Sequence, residues 1–253
     1  ISCSLVGSEM CIRDRYKGLQ IHITEFNSSY TPQGVIHDTN LNAAFIAQQL
    51  SRLGDVNESY SYWTFGDVFE ELGVPFTPFH GGFGLVANGC ITKPTFWTFA
   101  FYKKLEESEA NCVYKDDNVV VLKRANGDYL GVAWNIARKS TEQGKEKMLL
   151  EFTFPAEQEE YCFLTKTVDE ETCNPLKVWH DMGEPANLSE EQTKLIRESS
   201  RPFVKTERKK QEDGNIGVEL PVNENGVVYF ELNAGKVNPD RGYDYDRVVS
   251  LKA

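Results

Sequence analysis

The chain has no run approaching the roughly 18 apolar residues that a membrane-spanning helix requires, and nothing in it reads as a bilayer span. No stretch has the charged, apolar and small-residue order of a signal peptide. It also lacks C-x-x-C pairs. Its six cysteines (Cys3, Cys11, Cys90, Cys112, Cys162 and Cys173) are irregularly spaced, which argues against a zinc site or a disulfide framework and for free thiols in a reducing, cytoplasmic setting. Positive charge is scarce: 27 Lys+Arg against 38 Asp+Glu leave a net charge of -11, which argues against nucleic acid and anionic membrane surfaces as partners. No Ser/His/Asp or Cys/His arrangement can be assembled, and neither a metal nor a cofactor is indicated.

What is present is enough for a core. At 253 residues and 40% hydrophobic content the chain can hold one large domain or two ordinary ones, and 12% aromatics separate it from disordered sequences. The first fifteen residues, ISCSLVGSEMCIRDR, stand apart, with no apolar period, turn chemistry or capping logic. From Leu5 to Arg15 they match one reading frame of a transposase-type sequencing adapter, so residues 1–15 read as adapter-derived and the rest as starting in mid-domain at Tyr16. Their charges cancel, Glu9 and Asp14 against Arg13 and Arg15.

Two textures follow. Over residues 16–108, Gln20–Phe26 (QIHITEF) reads as a buried strand. Asp38 can cap a helix carrying Leu41, Ala44, Phe45 and Gln48 at helical spacing and stopping near Gly54. Ser59–Phe65 (SYSYWTF) reads as a second strand, followed by a long loop. Pro94 then opens a helix to about Leu105, with Phe96, Phe99 and Tyr102 on one face. These are two β/α units, which belong in parallel-sheet α/β architecture.

Over residues 109–253 short strand-like runs (Val119–Lys123, Tyr129–Asn135, Met148–Phe154, Tyr161–Thr167, Ile216–Val222 and Val227–Leu232) alternate with Asn-Gly and Asp-Gly turns, the pattern of an antiparallel β-sandwich. One helix near 189–199 interrupts it, opened by a Ser189-Glu-Glu-Gln192 capping box with Leu195 and Ile196 as its apolar side.

Glu25 is the first chemical candidate, because the C-terminal end of a strand is where parallel β/α sheets present reactive groups. A carboxylate among Ile21, Ile23 and Phe26 incurs a desolvation cost unless paired or functional, although a water-exposed strand-end glutamate fits the sequence too. Trp63, at the end of the next strand, can stack on a pyranose. Asp67, Glu70 and Glu71 behind it can accept hydrogen bonds from ring hydroxyls, or the tryptophan can be core and the acids loop caps. His80-Gly81-Gly82-Phe83-Gly84 lacks the context of a phosphate loop and reads as a tight loop beside the site. His22 reads as a core or supporting histidine, and His37 and His180 have no evident ligand partners.

Taken together, ITEFNSSY (Ile23–Tyr30), IHDTNLNAAFIAQQL (Ile36–Leu50), SYSYWTFGDVFEE (Ser59–Glu71), PFHGGFGLV (Pro78–Val86), KPTFWTF (Lys93–Phe99), VWHDMGEP, SRPFVKTERKKQEDG and GYDYDR resemble the β-xylosidases of glycoside hydrolase family 39. The resemblance implies the last two β/α units of a (β/α)8 TIM barrel followed by a β-sandwich. It implies Glu25 of Thr24-Glu25-Phe26-Asn27 as the nucleophile of a retaining exo-acting xylosidase, Trp63, Glu70 and Glu71 as sugar-contacting residues, and xylo-oligosaccharides as substrate. Related proteins are often homo-oligomers. The family's acid/base glutamate lies in an Asn-Glu-Pro motif that this sequence lacks: Asn57-Glu58 and Asn223-Glu224 are followed by other residues, and Glu184-Pro185 follows Gly183. The chain alone is therefore expected to be inactive. A different glycone, as in α-L-iduronidase-like enzymes, or a non-catalytic sugar-binding module are the alternatives.

Overall fold

The computed structural model describes residues 19–55, 57–68, 73, 75–136 and 147–235. The stretch read as adapter, the closing GYDYDR, Glu70 and Glu71 lie outside them.

The first part holds two parallel strands, β1 (His22–Phe26) and β2 (Ser59–Tyr62), paired His22 to Ser59 and Phe26 to Tyr62 with an irregularity between. The crossover is a short 3-10 turn, Val35–Asp38, and helix α1 (Asn40–Leu53). Thr39, not Asp38, is the N-cap. Its backbone is extended and its side chain accepts the Asn42 N–H, while Asp38 is drawn into a buried ion pair. α1 buries Ala43, Ala44, Ile46, Ala47, Leu50 and Leu53, a face rotated from the expected one; Leu41, Phe45 and Gln48 are only half-buried. The alanines permit close approach to α2 (Pro94–Glu107), where Thr98 donates to the Ala43 carbonyl at 3.1 Å and Tyr102 to that of Ala47 at 2.6 Å. In α2 it is Thr95, Thr98, Phe101 and Leu105 that are buried, while Phe96, Phe99 and Tyr102 are half-buried at its flank. Two short strands, β3 (Val86–Ala87) and β4 (Ile91–Thr92), pair in the loop ahead of α2.

β1 is not the buried strand its composition suggests. It pairs with β2 alone among the described strands, and His22, Thr24 and Glu25 are exposed. His22 faces solvent with Nδ1 2.7 Å from the Ser59 hydroxyl, so it is not a core histidine. β2 ends at Tyr62, earlier than expected, because the chain after it turns to meet the Phe83–Val86 backbone.

The second part is antiparallel throughout. Six strands run in the order β10-β9-β12-β7-β6-β5: Phe203–Lys210, Glu160–Val168, Gly226–Ala234, Tyr129–Asn135, Val119–Lys123 and Asn111–Lys115. β8 (Met148–Pro155) and β11 (Asn215–Val222) form a separate ribbon. Because strand side chains alternate between faces, β7 and β12 serve two cores. Leu130, Val132, Trp134, Val227 and Tyr229 face Ala43, Ala47, Phe101 and Leu105 of the helices. Tyr129, Ala133, Val228, Phe230 and Leu232 face Ile216, Val218, Leu220 and Val222 of the ribbon. The chain is thus mixed α and β, with a parallel β1–β2 pair and a short antiparallel β3–β4 pair in its first part and antiparallel sheets in its second.

Between β9 and β10 lie α3 (Pro175–Asp181) and α4 (Glu190–Ser199), the latter opened by the expected Ser189–Gln192 capping box. Ile196 is its buried residue, while Leu195 is exposed. β5, β10 and α3 have no counterpart in the sequence reading. β5 and β10 are edge strands with mostly exposed side chains and no apolar alternation to detect.

Candidate active site

The site is built where β1 and β2 end together. Glu25 is the penultimate residue of β1, exposed, and its side chain makes no hydrogen bond or ion pair with any described residue. The burial expected to press on its carboxylate is absent from this chain. Trp63 follows the last residue of β2, and its N–H donates to the Phe26 carbonyl at 2.9 Å; with Phe26 paired to Tyr62, Glu25 lies one position before that pair and Trp63 one position after it, at the ends of adjacent parallel strands. The Trp63–Thr64 peptide is cis.

Asn27 joins the two strand ends. Its amide nitrogen donates to the carbonyls of Trp63 and, at 3.3 Å, Phe83, and its oxygen accepts the Tyr62 hydroxyl at 3.1 Å. Burial, helped by the charges of Asp67 and Asp38, raises the Tyr62 phenol to about 12 against the pull of its hydrogen bonds, so it stays protonated and able to donate. Thr64 N–H reaches the same Phe83 carbonyl at 3.1 Å, fixing the His80–Gly84 loop beside the site, as expected. Gly81 there adopts φ +73°, and an added Cβ would lie 2.6 Å from the Gln33 backbone, so only glycine fits. Gly84 has no room either, because its Cβ would meet the Asp67 backbone at 2.4 Å.

Beneath this layer is a buried charge cluster. Lys93 Nζ lies 2.6 Å from Asp38 and 2.7 Å from Asp67, and donates to the Gly82 carbonyl at 2.8 Å. Asp38 accepts the Gly81 N–H at 2.6 Å and Asp67 the Gly84 N–H at 2.7 Å. Asp67 is therefore fully engaged below the surface and is not free to hold a sugar hydroxyl, as its place in the acidic loop suggested. His37 is also buried. Its Nδ1 lies 2.8 Å from the Gly81 carbonyl, which can only accept, so Nδ1 carries the proton. Sequence reasoning singled out neither Asn27 nor Lys93. The one available signal was a lysine directly before the proline that opens α2, since a residue before proline is held extended and a lysine at the N-cap position has no side-chain acceptor to cap the helix.

Among the described residues no cluster of three or more His, Cys, Asp or Glu side chains could hold a metal, and no helix is long and apolar enough to cross a membrane. Cys90, Cys112, Cys162 and Cys173 are free thiols, and Cys173 is buried.

A carboxylate and a tryptophan at neighbouring strand ends, ringed by tight loops and backed by an antiparallel β domain, define the class as glycosidase-like. The sequence model for glycosyl hydrolases family 39 matches residues 9–217, beginning inside the stretch read as adapter. The chain belongs to glycosyl hydrolases family 39. It is 39% identical over 214 residues to a β-xylosidase of Geobacillus stearothermophilus, covering 85% of this chain and 41% of that protein. With a β-xylosidase of Caldicellulosiruptor saccharolyticus it shares 30% over 224 residues, 86% of this chain and 45% of the relative. The crystal structure of a monomeric β-xylosidase from Caulobacter crescentus superposes with a TM-score of 0.78 at 26% identity, over 92% of this chain and 50% of that one. The chain spans less than half the length of the two β-xylosidases matched by sequence.

Proposed function

We propose that the chain supplies the last two β/α units of a (β/α)8 barrel and the following β-sandwich of a retaining, exo-acting β-1,4-xylosidase, with Glu25 as its nucleophile. The observation that carries this reading is that Glu25 and Trp63 sit at the ends of adjacent parallel strands, one on either side of the Phe26–Tyr62 pair, with the strand ends joined by the Trp63 N–H to Phe26 carbonyl bond of 2.9 Å.

In this reading the Glu25 carboxylate attacks the anomeric carbon as the glycosidic bond breaks, giving a covalent xylosyl-enzyme. A second carboxyl group, roughly 5–5.5 Å away in retaining enzymes, protonates the leaving oxygen and then takes a proton from the water that frees xylose. Trp63 stacks on the sugar, and Glu70 and Glu71 accept its hydroxyls. The exposed Glu25 fits an incomplete site, because the second carboxyl group and the barrel wall that would bury the nucleophile belong to sequence this chain lacks. The 253-residue chain alone is therefore expected not to hydrolyse aryl β-xylosides. In the complete enzyme, Glu25→Ala should abolish turnover and external azide should restore part of it by taking the carboxylate's place. Near-normal activity of that variant would sink the nucleophile assignment. Sugar binding without turnover in the unaltered enzyme would favour a binding module.

A further inference from the structure

We propose that Lys93 is a positioning residue, a buried ammonium that sets the three loops around Trp63 and Glu25 relative to one another without touching substrate. The link to catalysis rests on the xylosidase reading, while the link to loop order does not.

Lys93 is a fixed point. It precedes Pro94 at the start of α2, with extended backbone (φ -79°, ψ 161°), and α2 is locked to the core by Thr98, Phe101 and Leu105. An ammonium has three N–H donors, and three oxygens surround this one: Asp38 at 2.6 Å, Asp67 at 2.7 Å and the Gly82 carbonyl at 2.8 Å. They come from three separate segments, after β1, after β2, and in the glycine loop. Each carboxylate then grips that loop a second time, through the N–H of Gly81 or Gly84. Between those glycines, the Phe83 carbonyl receives Thr64 N–H and the Asn27 amide, the groups flanking Trp63 and following Glu25. The path from Lys93 to the candidate site is thus continuous and polar. Two carboxylates share one cation, so removing Lys93 does not leave a neutral cluster that could stay closed. It leaves two buried carboxylates facing each other without their shared counter-charge, which pushes the segments that carry them apart.

The primary test uses the 253-residue chain and amide hydrogen exchange. In Lys93→Met, the Gly81 and Gly84 amides should exchange at least about tenfold faster while those of β7 and β12 keep their rates, the signature of local opening. Unchanged glycine protection, or an equal loss in β7 and β12, overturns the proposal. The second test joins residues 16–253 to the six upstream β/α units of the Geobacillus relative. Turnover is normalised to the sites that trap a 2-fluoro-xyloside on Glu25. Lys93→Met should lower kcat/KM per trapped site about 100-fold, with kcat down and KM up, as expected for an angstrom-scale misplacement. Lys93→Arg should recover part of that. Fewer trapped sites with unchanged kcat and KM would reduce Lys93 to a folding role and overturn the proposal. An unaltered joined enzyme that traps nothing counts against the xylosidase reading, and the exchange result still decides Lys93.

Discussion

Lys93 Nζ and Asp67 Oδ2 stand 2.7 Å apart with neither side chain exposed. Breaking such a pair from one side costs more than the pair contributes, because the remaining groups keep their desolvation penalty. Asp67→Ala also strips the acceptor from the Gly84 N–H. It should destabilise the chain by about 3 kcal/mol. Asp67→Asn keeps an oxygen for Gly84 and should lose roughly half as much. Urea unfolding of the two variants checks the order, and equal losses would show that the acceptor for the Gly84 N–H adds nothing beyond the carboxylate charge.

Gly84 tests the same corner through sterics. A Cβ there meets backbone, the Asp67 nitrogen and the Gly66 carbonyl carbon, both at 2.4 Å, and backbone cannot rotate aside. Gly84→Ala should therefore cost about 1–3 kcal/mol of overpacking strain. Gly217 in β11 has nothing within 4 Å of the same position, so Gly217→Ala should stay within about 0.5 kcal/mol of the parent. Thermal unfolding of the pair distinguishes local crowding from a general glycine effect.

Trp63 is anchored by its backbone at both ends, so truncating its ring leaves the loop in place. In the joined enzyme, Trp63→Ala should lower kcat/KM for an aryl xyloside about 100-fold through lost stacking area. Trp63→Phe, which retains an aromatic face, should stay within about tenfold. If both variants behave alike, the ring is core and not a sugar platform.

Tyr62 predicts an alkaline weakness. Its pKa rises from 10.0 when unfolded to about 12 when folded, chiefly through burial. Between those values the unfolded state has already released the proton that the folded state keeps, so stability falls as pH rises. Below pH 10 the contribution is fully present; by about pH 12 up to roughly 2 kcal/mol of it is gone. Tyr102 and Tyr229 are shifted upward as well and act in the same direction. Tyr62→Phe should make the pH slope of urea unfolding shallower by about one proton between pH 10 and 12. A slope that does not change would mean that the phenol titrates normally.

Period and turn chemistry carried most of the fold. β6, β7, β8, β9, β11 and β12 were legible because each has a face to bury, and α4 because its capping box is a local pattern. β10 was not, since its FVKTERKK side chains stand along a sheet edge where nothing selects for alternation. At the candidate site, the strand-end positions of Glu25 and Trp63 were legible from the sequence. Asn27, Lys93 and the structural use of Asp67 were not, because each acts across a sequence distance that local pattern cannot encode. Asn27 meets Phe83 and Lys93 meets Asp38 only after β1, β2 and α2 have come together.

The α3–α4 segment gives a case where two local devices compete for credit. Ser189 caps α4 by accepting the Gln192 N–H at 3.1 Å, and Gln192 returns a contact to the Ser189 N–H at 2.9 Å. Ser189 is exposed and Gln192 half-buried, so the cap works largely against water and Ser189→Ala should cost about 1 kcal/mol. Ile196, one face further on, is fully buried with Phe79, Ala87, Ile91 and Trp179, beneath the loop that carries His80 to Gly84. Ile196→Ala removes transfer energy and leaves a cavity in that cluster, about 2–5 kcal/mol in total. Packing should therefore outweigh capping at least twofold, and only Ile196→Ala should speed exchange at Gly81 and Gly84. Equal losses from the two variants in urea unfolding would mean that α4 is held by its own helical propensity. The segment would then not brace the His80–Gly84 loop.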